Sequence, residues 1–161
     1  MPLPALNKQL LLARVEQCYR LAEAALDKKL VKPTVLFNQR GRIAGSALLQ
    51  RHTLRFHPKI YLQNQQHYLT HVVAHEVAHL IVWQCYGRVA PHGKEWQTIM
   101  TAVFKLPAER THSYDTDNLG IKTFDYQCGC QIIKLSTRRH NNALKGTKYI
   151  CRGCRNQLIA V

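Results

Sequence analysis

The sequence predicts an α+β fold in which helices lie over a short antiparallel sheet, followed by a small C-terminal module. Three observations predict it. An apolar run, His71 to Trp83, repeats at helical spacing. Short alternating or β-rich stretches punctuated by turn residues fill Thr34 to Leu62. Two close cysteine pairs, twenty residues apart, stand beyond a polar stretch. A chain of 161 residues can hold a domain of about 120 residues plus a small module. The division expected here is 1–118 and 119–161.

Residues Ala5 to Leu30 read as one amphipathic helix, with Leu6, Leu10, Ala13, Leu21, Ala25 and Leu26 at helical spacing and Pro4 and Pro33 as brackets. Val35-Leu36-Phe37 is a strand signal, followed by a turn at Asn38 to Gly41. Ile43 to Leu49 is a second strand, in which Gly45 marks a bulge or a close approach. Leu54, Phe56, Ile60 and Leu62 alternate with Arg55, His57, Lys59 and Tyr61, as in a strand with one apolar and one basic face. Pro58 removes a ladder donor, so this strand is an edge or is broken near Pro58. An edge strand there can pair with an extended peptide; the alternative is a solvated strand face.

A helix from about Gln65 to Tyr86 follows, stopped by Gly87. It carries His75-Glu76-Val77-Ala78-His79, an H-E-x-x-H motif beside the apolar stripe Leu69, Val73, Val77, Leu80 and Ile81. Residues four apart sit one turn apart and roughly 40° round the helix, so His75 and His79 can hold one zinc ion. Glu76 is placed to take a proton from water at such an ion without binding the metal itself. The blander reading is a pair of hydrogen-bonded core histidines, but three polar groups at the edge of a packed stripe are costly to desolvate without a partner.

A catalytic zinc takes three protein ligands and keeps one position open. The candidates for the third are His71, His92, Glu95 and His112. His71 lies a further turn along the helix, too far for one ion, and His112 stands in a polar stretch that predicts a solvated side chain. A metzincin would carry Gly at 82 and His at 85, where this chain has Val82 and Cys85. His92 follows His79 by thirteen residues, between Pro91 and Gly93, where the chain can double back. It is favoured, with Glu95 as its rival. Gln97 to Phe104 reads as another helix.

Leu106 to Asn118 reads as a linker. Beyond it come Cys128-Gly129-Cys130 and Cys151-Arg152-Gly153-Cys154. Cys128, Cys130, Cys151 and Cys154 together predict a structural zinc ribbon in a segment too small for a core of its own. The first pair is tighter than a usual knuckle, and Gly129 is expected to allow its sharp turn. A redox dithiol, or His140 in place of one thiolate, is the alternative. Cys18 and Cys85 read as inert core residues.

The pairing of His75-Glu76-Val77-Ala78-His79-Leu80 with Pro91-His92-Gly93-Lys94-Glu95-Trp96 resembles the SprT family, whose eukaryotic relative is Spartan. The resemblance covers nearly the whole chain. It implies a zincin-like metallopeptidase core with a zinc ribbon, His75, His79 and His92 as ligands of a catalytic zinc, and Glu76 as the catalytic carboxylate. Trp96 takes the aromatic position of the second box, packing behind the third ligand. The substrates it implies are proteins crosslinked to DNA.

The charge balance agrees with a polyanionic partner. The chain carries 23 Lys+Arg against 9 Asp+Glu, a net +14, with a pI near 9.9. Acid-free basic blocks run from Lys28 to His75 and from Tyr126 to Val161. Lys134, Arg138, Arg139, Lys145, Lys148, Arg152 and Arg155 suit low-specificity contacts to DNA, single-stranded or damaged. Tyr126 and Tyr149 either stack on bases or pack over the metal. The longest apolar run is too short to span a bilayer, and Met1 to Pro4 carries no basic-then-apolar leader. The expectation is a cytoplasmic monomer. The rival to the enzyme is a DNA-binding regulatory protein with an inactive core, against which an intact Glu76 argues. A zinc hydrolase of non-peptide substrates shares the same motif. His71 and Tyr86 are the side chains considered for extra oxyanion stabilisation.

Overall fold

The structure, a computed structural model, describes residues 2–161. They form helices and two small three-stranded sheets, an α+β arrangement. Two compact units result, one ending at Thr116 and the other running Asp117–Val161.

The first unit opens with α1, Ala5–Leu26. Its buried residues are Leu11, Val15, Cys18, Tyr19 and Ala22, which pack against the motif helix. The predicted stripe faces the other way: Leu6 is 67% exposed, and Leu10 and Leu21 are also exposed. That stripe is interrupted by Gln17, whereas the buried one is unbroken and carries the large Tyr19 ring.

Three strands follow: β1 Thr34–Leu36, β2 Gly45–Leu48 and β3 Thr53–Phe56, in the order β1-β3-β2. β2 pairs antiparallel with β3, but β1 pairs with it in parallel, so the sheet is mixed rather than antiparallel throughout. β3 is therefore central, and the expected edge strand over Leu54 to Leu62 ends at Phe56. Helix α2 starts at Pro58 and runs to Gln63, with the His57 side chain accepting from the Ile60 amide. Proline's fixed φ and missing donor suit a first helical turn better than a ladder. Ile60 and Tyr61, adjacent in sequence, are both fully buried, which a strand with one basic, solvent-facing side would not allow. The free edge beside the motif helix belongs instead to β2.

The motif helix is built from α3, Gln65–His67, a π-helical turn, Tyr68–Val72, and α4, Val73–Tyr86. A π turn leaves carbonyls poorly served by the helix. Here Arg14 of α1 donates to the carbonyls of Leu69 (2.9 Å) and Thr70 (3.2 Å). The Tyr68 hydroxyl donates to the Ala44 carbonyl and accepts from the His57 amide, tying the helix to the sheet. Val73 to Ala78 and Leu80 to Val82 are all buried, so α4 is a central helix packed closely over its first turns. It ends at Gly87, whose φ of 67° is the left-handed region that favours glycine. Helix α5, Lys94–Thr98, continues into a second π-helical turn, Ile99–Val103.

Residues 105–116 have no regular structure, yet part of this predicted linker is packed rather than free. The Tyr114 hydroxyl lies 2.6 Å from His67 Nδ1, which holds the segment on the motif helix.

The second unit holds β4 Thr123–Gln127, β5 Ile132–Ser136, helix α6 Thr137–Leu144 and β6 Ile159–Ala160. Its sheet is antiparallel, in the order β5-β4-β6. Tyr126, Leu135, Cys151 and Leu158 form its small core. Among the described residues no helix is long and apolar enough to cross a membrane.

Candidate metal centres

Helix α4 sets His75 and His79 one turn apart on the side that faces the loop after Gly87. The turn Ala90 to Gly93, closed by the Gly93 amide on the Ala90 carbonyl (3.0 Å), brings His92 to the same place. A Cβ on Gly93 would lie 3.1 Å from both the Ala90 methyl and its carbonyl oxygen, so this turn is tight enough to favour glycine. Gln97 donates to the His92 carbonyl at 3.0 Å and fixes the turn from α5.

Nε2 of His75 lies 3.2 Å from Nε2 of His79 and 3.2 Å from Nε2 of His92. Ligands held at about 2.05 Å in a tetrahedron are ~3.3 Å apart, so the spacing fits three donors to a single metal ion. Burial pushes the His75 imidazole down to about 3, helped by His79, His112 and His92, and pushes His79 down to about 4. His92 is lowered too, by burial and then by Arg110. Neutral rings with free lone pairs, crowded at this distance, are the donor set a metal takes. The group can hold a metal ion, and neither Glu95, His71 nor His112 belongs to it.

Trp96 is fully buried against the cluster. Its ring centroid lies 4.8, 5.7 and 4.7 Å from those of His75, His79 and His92, and its indole N–H donates to the His75 carbonyl at 3.3 Å. It braces all three rings, where sequence pointed only to the third.

Glu76 is buried, and desolvation raises its carboxyl to about 8; the Ala47 amide of β2, donating to it, acts in the opposite sense. Gly45 of the same strand leaves room for it. A Cβ there would stand 2.9 Å from Glu76 Cγ and 3.3 Å from Oε1. The close approach expected at Gly45 is therefore an approach to Glu76.

His112, expected in solvent, is packed inward. Its ring lies 5.1 Å from that of His75, and both its nitrogens are buried without a hydrogen-bond partner. Tyr114, anchored to His67, carries the segment there, and no local pattern in a polar stretch signals that long-range packing. His71 stacks on His67 at 4.4 Å, and Tyr86 is exposed.

In the second unit the sulfurs of Cys128, Cys130, Cys151 and Cys154 lie within 4.8 Å of one another and can hold a metal ion. Cys128 and Cys130 are 3.5 Å apart and Cys130 and Cys151 3.8 Å, close to the ~3.8 Å that thiolates at about 2.3 Å from a tetrahedral zinc would have. All four are free of disulfides. The Cys154 amide, the Gln131 side chain and the Gly153 amide hold the Cys151 thiol low, and the Asn156 amide does the same for Cys154. The neighbouring thiols push Cys130 up to about 12, whereas amide donors aimed at a sulfur favour its ionised form, the form that ligates a metal. Gly129 does not need a left-handed backbone; a Cβ there would meet only the tip of the exposed Asn156 side chain, Nδ2 at 2.7 Å, which can swing aside. His140 stands apart from the sulfurs, stacked 3.6 Å from Phe124 with Nδ1 3.1 Å from the Tyr126 hydroxyl. Tyr126 is core, and Tyr149 lies beneath the Arg139 guanidinium at 5.8 Å.

A model of the SprT-like family matches residues 15–112, a span that holds all three clustered histidines and Glu76. Protein SprT of Shewanella oneidensis is 43% identical over 152 residues, covering 94% of this chain and 97% of that protein. Protein SprT of Klebsiella pneumoniae is 40% identical over 159 residues (98% and 96%), and that of Yersinia pestis 46% over 149 (89% and 88%). No solved structure matches the chain. On both the family match and these near full-length identities, the chain belongs to the SprT-like family.

Proposed function

We propose that this protein is a zinc metalloendopeptidase that hydrolyses peptide bonds of proteins bound or crosslinked to DNA. The observation that carries the reading is the convergence of three neutral imidazoles beside a buried carboxylate that is not one of the donors. His75, His79 and His92 would hold the catalytic zinc, and the four cysteines a structural zinc. When bound, the catalytic zinc supplies a Lewis acid that acidifies water and polarises a carbonyl.

Glu76 accepts the proton of the attacking water and returns it to the departing amine. A carboxyl whose affinity for protons is raised towards neutrality suits both halves of that task, and the Ala47 amide aims it. Trp96 and the Ala90 to Gly93 turn hold the ligands in place. The free edge of β2 offers backbone groups to an extended chain.

Association with DNA is supported by the net charge of +14 and the acid-free run Tyr126 to Val161. The protein would act in the cytoplasm as a monomer, holding the nucleic acid by phosphates with little sequence preference. The test is cleavage of a protein crosslinked to a single-stranded oligonucleotide, comparing wild type with Glu76→Gln. DNA-dependent cleavage by wild type alone is expected. Equal cleavage by both would sink the enzyme reading.

A further inference from the structure

We propose that the groove beside His79 binds acidic side chains of the polypeptide substrate through Arg51, Arg55 and Arg88. This rests on the peptidase reading of the same centre and adds a substrate class to it. The groove has a volume of about 830 Å³ and runs between the end of β2 and the C-terminal half of α4. Val82 and the half-buried Trp83 give it an apolar side, and His79 lines it as well as the histidine cluster. A ligand in it therefore reaches one of the three clustered histidines. An extended chain laid along the free edge of β2 sends every second side chain to one face, which is how a groove at the strand's end is reached.

Three guanidinium groups line the groove and no carboxylate does. None of the three takes part in an ion pair among the described residues. Arg55 spends Nε on the Asn38 side chain (2.9 Å) and Nη2 on the Asn38 carbonyl (3.0 Å), which fixes its plane and leaves Nη1 for a ligand. A guanidinium already held in place loses little freedom on binding a carboxylate. Arg51 and Arg88 are exposed at the rim. Apolar walls with an uncompensated basic rim match a segment that alternates acidic with apolar residues. Phosphates would also suit arginine, but the opening onto His79 makes the substrate polypeptide the occupant.

The test uses the full-length zinc-loaded protein and the charge-reversed double variant Arg51→Glu, Arg88→Glu. Both positions are exposed, and thermal unfolding checks that the variant folds. The probes are three fluorogenic decapeptides that differ only in carrying Asp and Glu, Asn and Gln, or Lys around the centre. Wild type should favour the acidic peptide over the amide one at least tenfold in kcat/KM, less so in high salt. The double variant should reverse the order in favour of the Lys peptide. Equal kcat/KM for all three in wild type, or parallel losses on all three in the variant, overturns the proposal. Should wild type cleave none of them even with a single-stranded oligonucleotide present, the peptidase reading has failed and the groove is read separately, by fluorescence anisotropy of the labelled peptides. Salt-sensitive binding of the acidic peptide that disappears in the double variant supports the site. Equal binding of acidic and amide peptides overturns it. So does displacement of the acidic peptide by a single-stranded oligonucleotide whose own binding the double variant abolishes, since the groove would then belong to nucleic acid.

Discussion

Gly45 and Glu76 occupy one another's space: the missing side chain of the first is filled by the second. A methyl group at Gly45 would stand 2.9 Å from Glu76 Cγ and 3.3 Å from Val72 Cγ1, closer than packed carbon atoms tolerate. The backbone at Gly45 is not left-handed, so the glycine is required by the carboxylate and not by the strand. β2 thus contributes twice to one side chain, through the space at Gly45 and the amide of Ala47.

Replacement of Gly45 by alanine should therefore leave fold and metal content intact while moving the carboxylate. A displacement on the order of 1 Å can cost about 100-fold in rate. We expect kcat to drop between tenfold and a hundredfold, with KM nearly unchanged. Full kcat in Gly45→Ala would show that Glu76 has slack the structure does not reveal.

Glu76 also makes the metal-free protein pH-sensitive. Its folded carboxyl titrates near 8, above the ordinary value of 4.5. A raised value means that its full share of stability is present below about pH 4.5 and is lost as pH rises through 8. Glu76→Gln removes this loss, on the order of a few kcal/mol at the alkaline end. Melting temperatures of chelator-treated wild type and Glu76→Gln should match at pH 4.5 and separate towards pH 9, with the variant higher. The neighbouring histidines, whose values are lowered, act in the opposite direction at acid pH and are common to both proteins. A constant difference between the two curves would mean the carboxylate is not desolvated.

Much of the first centre was legible in sequence because its spacing is local. His75 and His79 share a helix face by periodicity alone, and the Gly93 turn marks a doubling back that brings in His92. The groove arginines were not legible, because Arg51, Arg55 and Arg88 meet only once β2, β3 and the loop after α4 are assembled. Helix α1 misled for a different reason: it carries two apolar stripes, and the choice between them is made by the partner it packs on. Pro58 was a true break signal, but alternation over Leu54 to Leu62 concealed that it opens a helix. His112 was missed because tertiary packing of Tyr114 overrides the polarity of its neighbours.

The two metal groups should be separable. Elemental analysis of wild type should give about two zinc ions per chain, and Cys151→Ser with Cys154→Ser about one. The core cluster of the second unit is built on four buried residues, one of them Cys151, so its folding should fail with the loss of metal. Limited proteolysis should then cut within residues 117–161 while the remainder persists. His92→Ala should remove the other ion, and with it the proposed peptidase activity, while leaving the cysteine site loaded. Two ions retained in either variant would contradict the assignment.

Binding to DNA should be dominated by phosphate contacts from the second unit. Arg138, Lys145 and Arg155 are exposed, and Asp117 and Asp125 are the only acids in that unit. Each phosphate contact on a single strand contributes about 0.7 to the slope of log K against log salt. The triple variant Arg138→Ala, Lys145→Ala, Arg155→Ala should lower that slope by about 2 for a single-stranded oligonucleotide and weaken binding equally across sequences. Zinc content should stay at the wild-type level, because none of the three is among the clustered donors. A slope unchanged in the variant would move the contact surface to the other acid-free block, Lys28 to His75, where charge reversal of Arg40 and Arg42 would then be the variant that flattens the salt dependence.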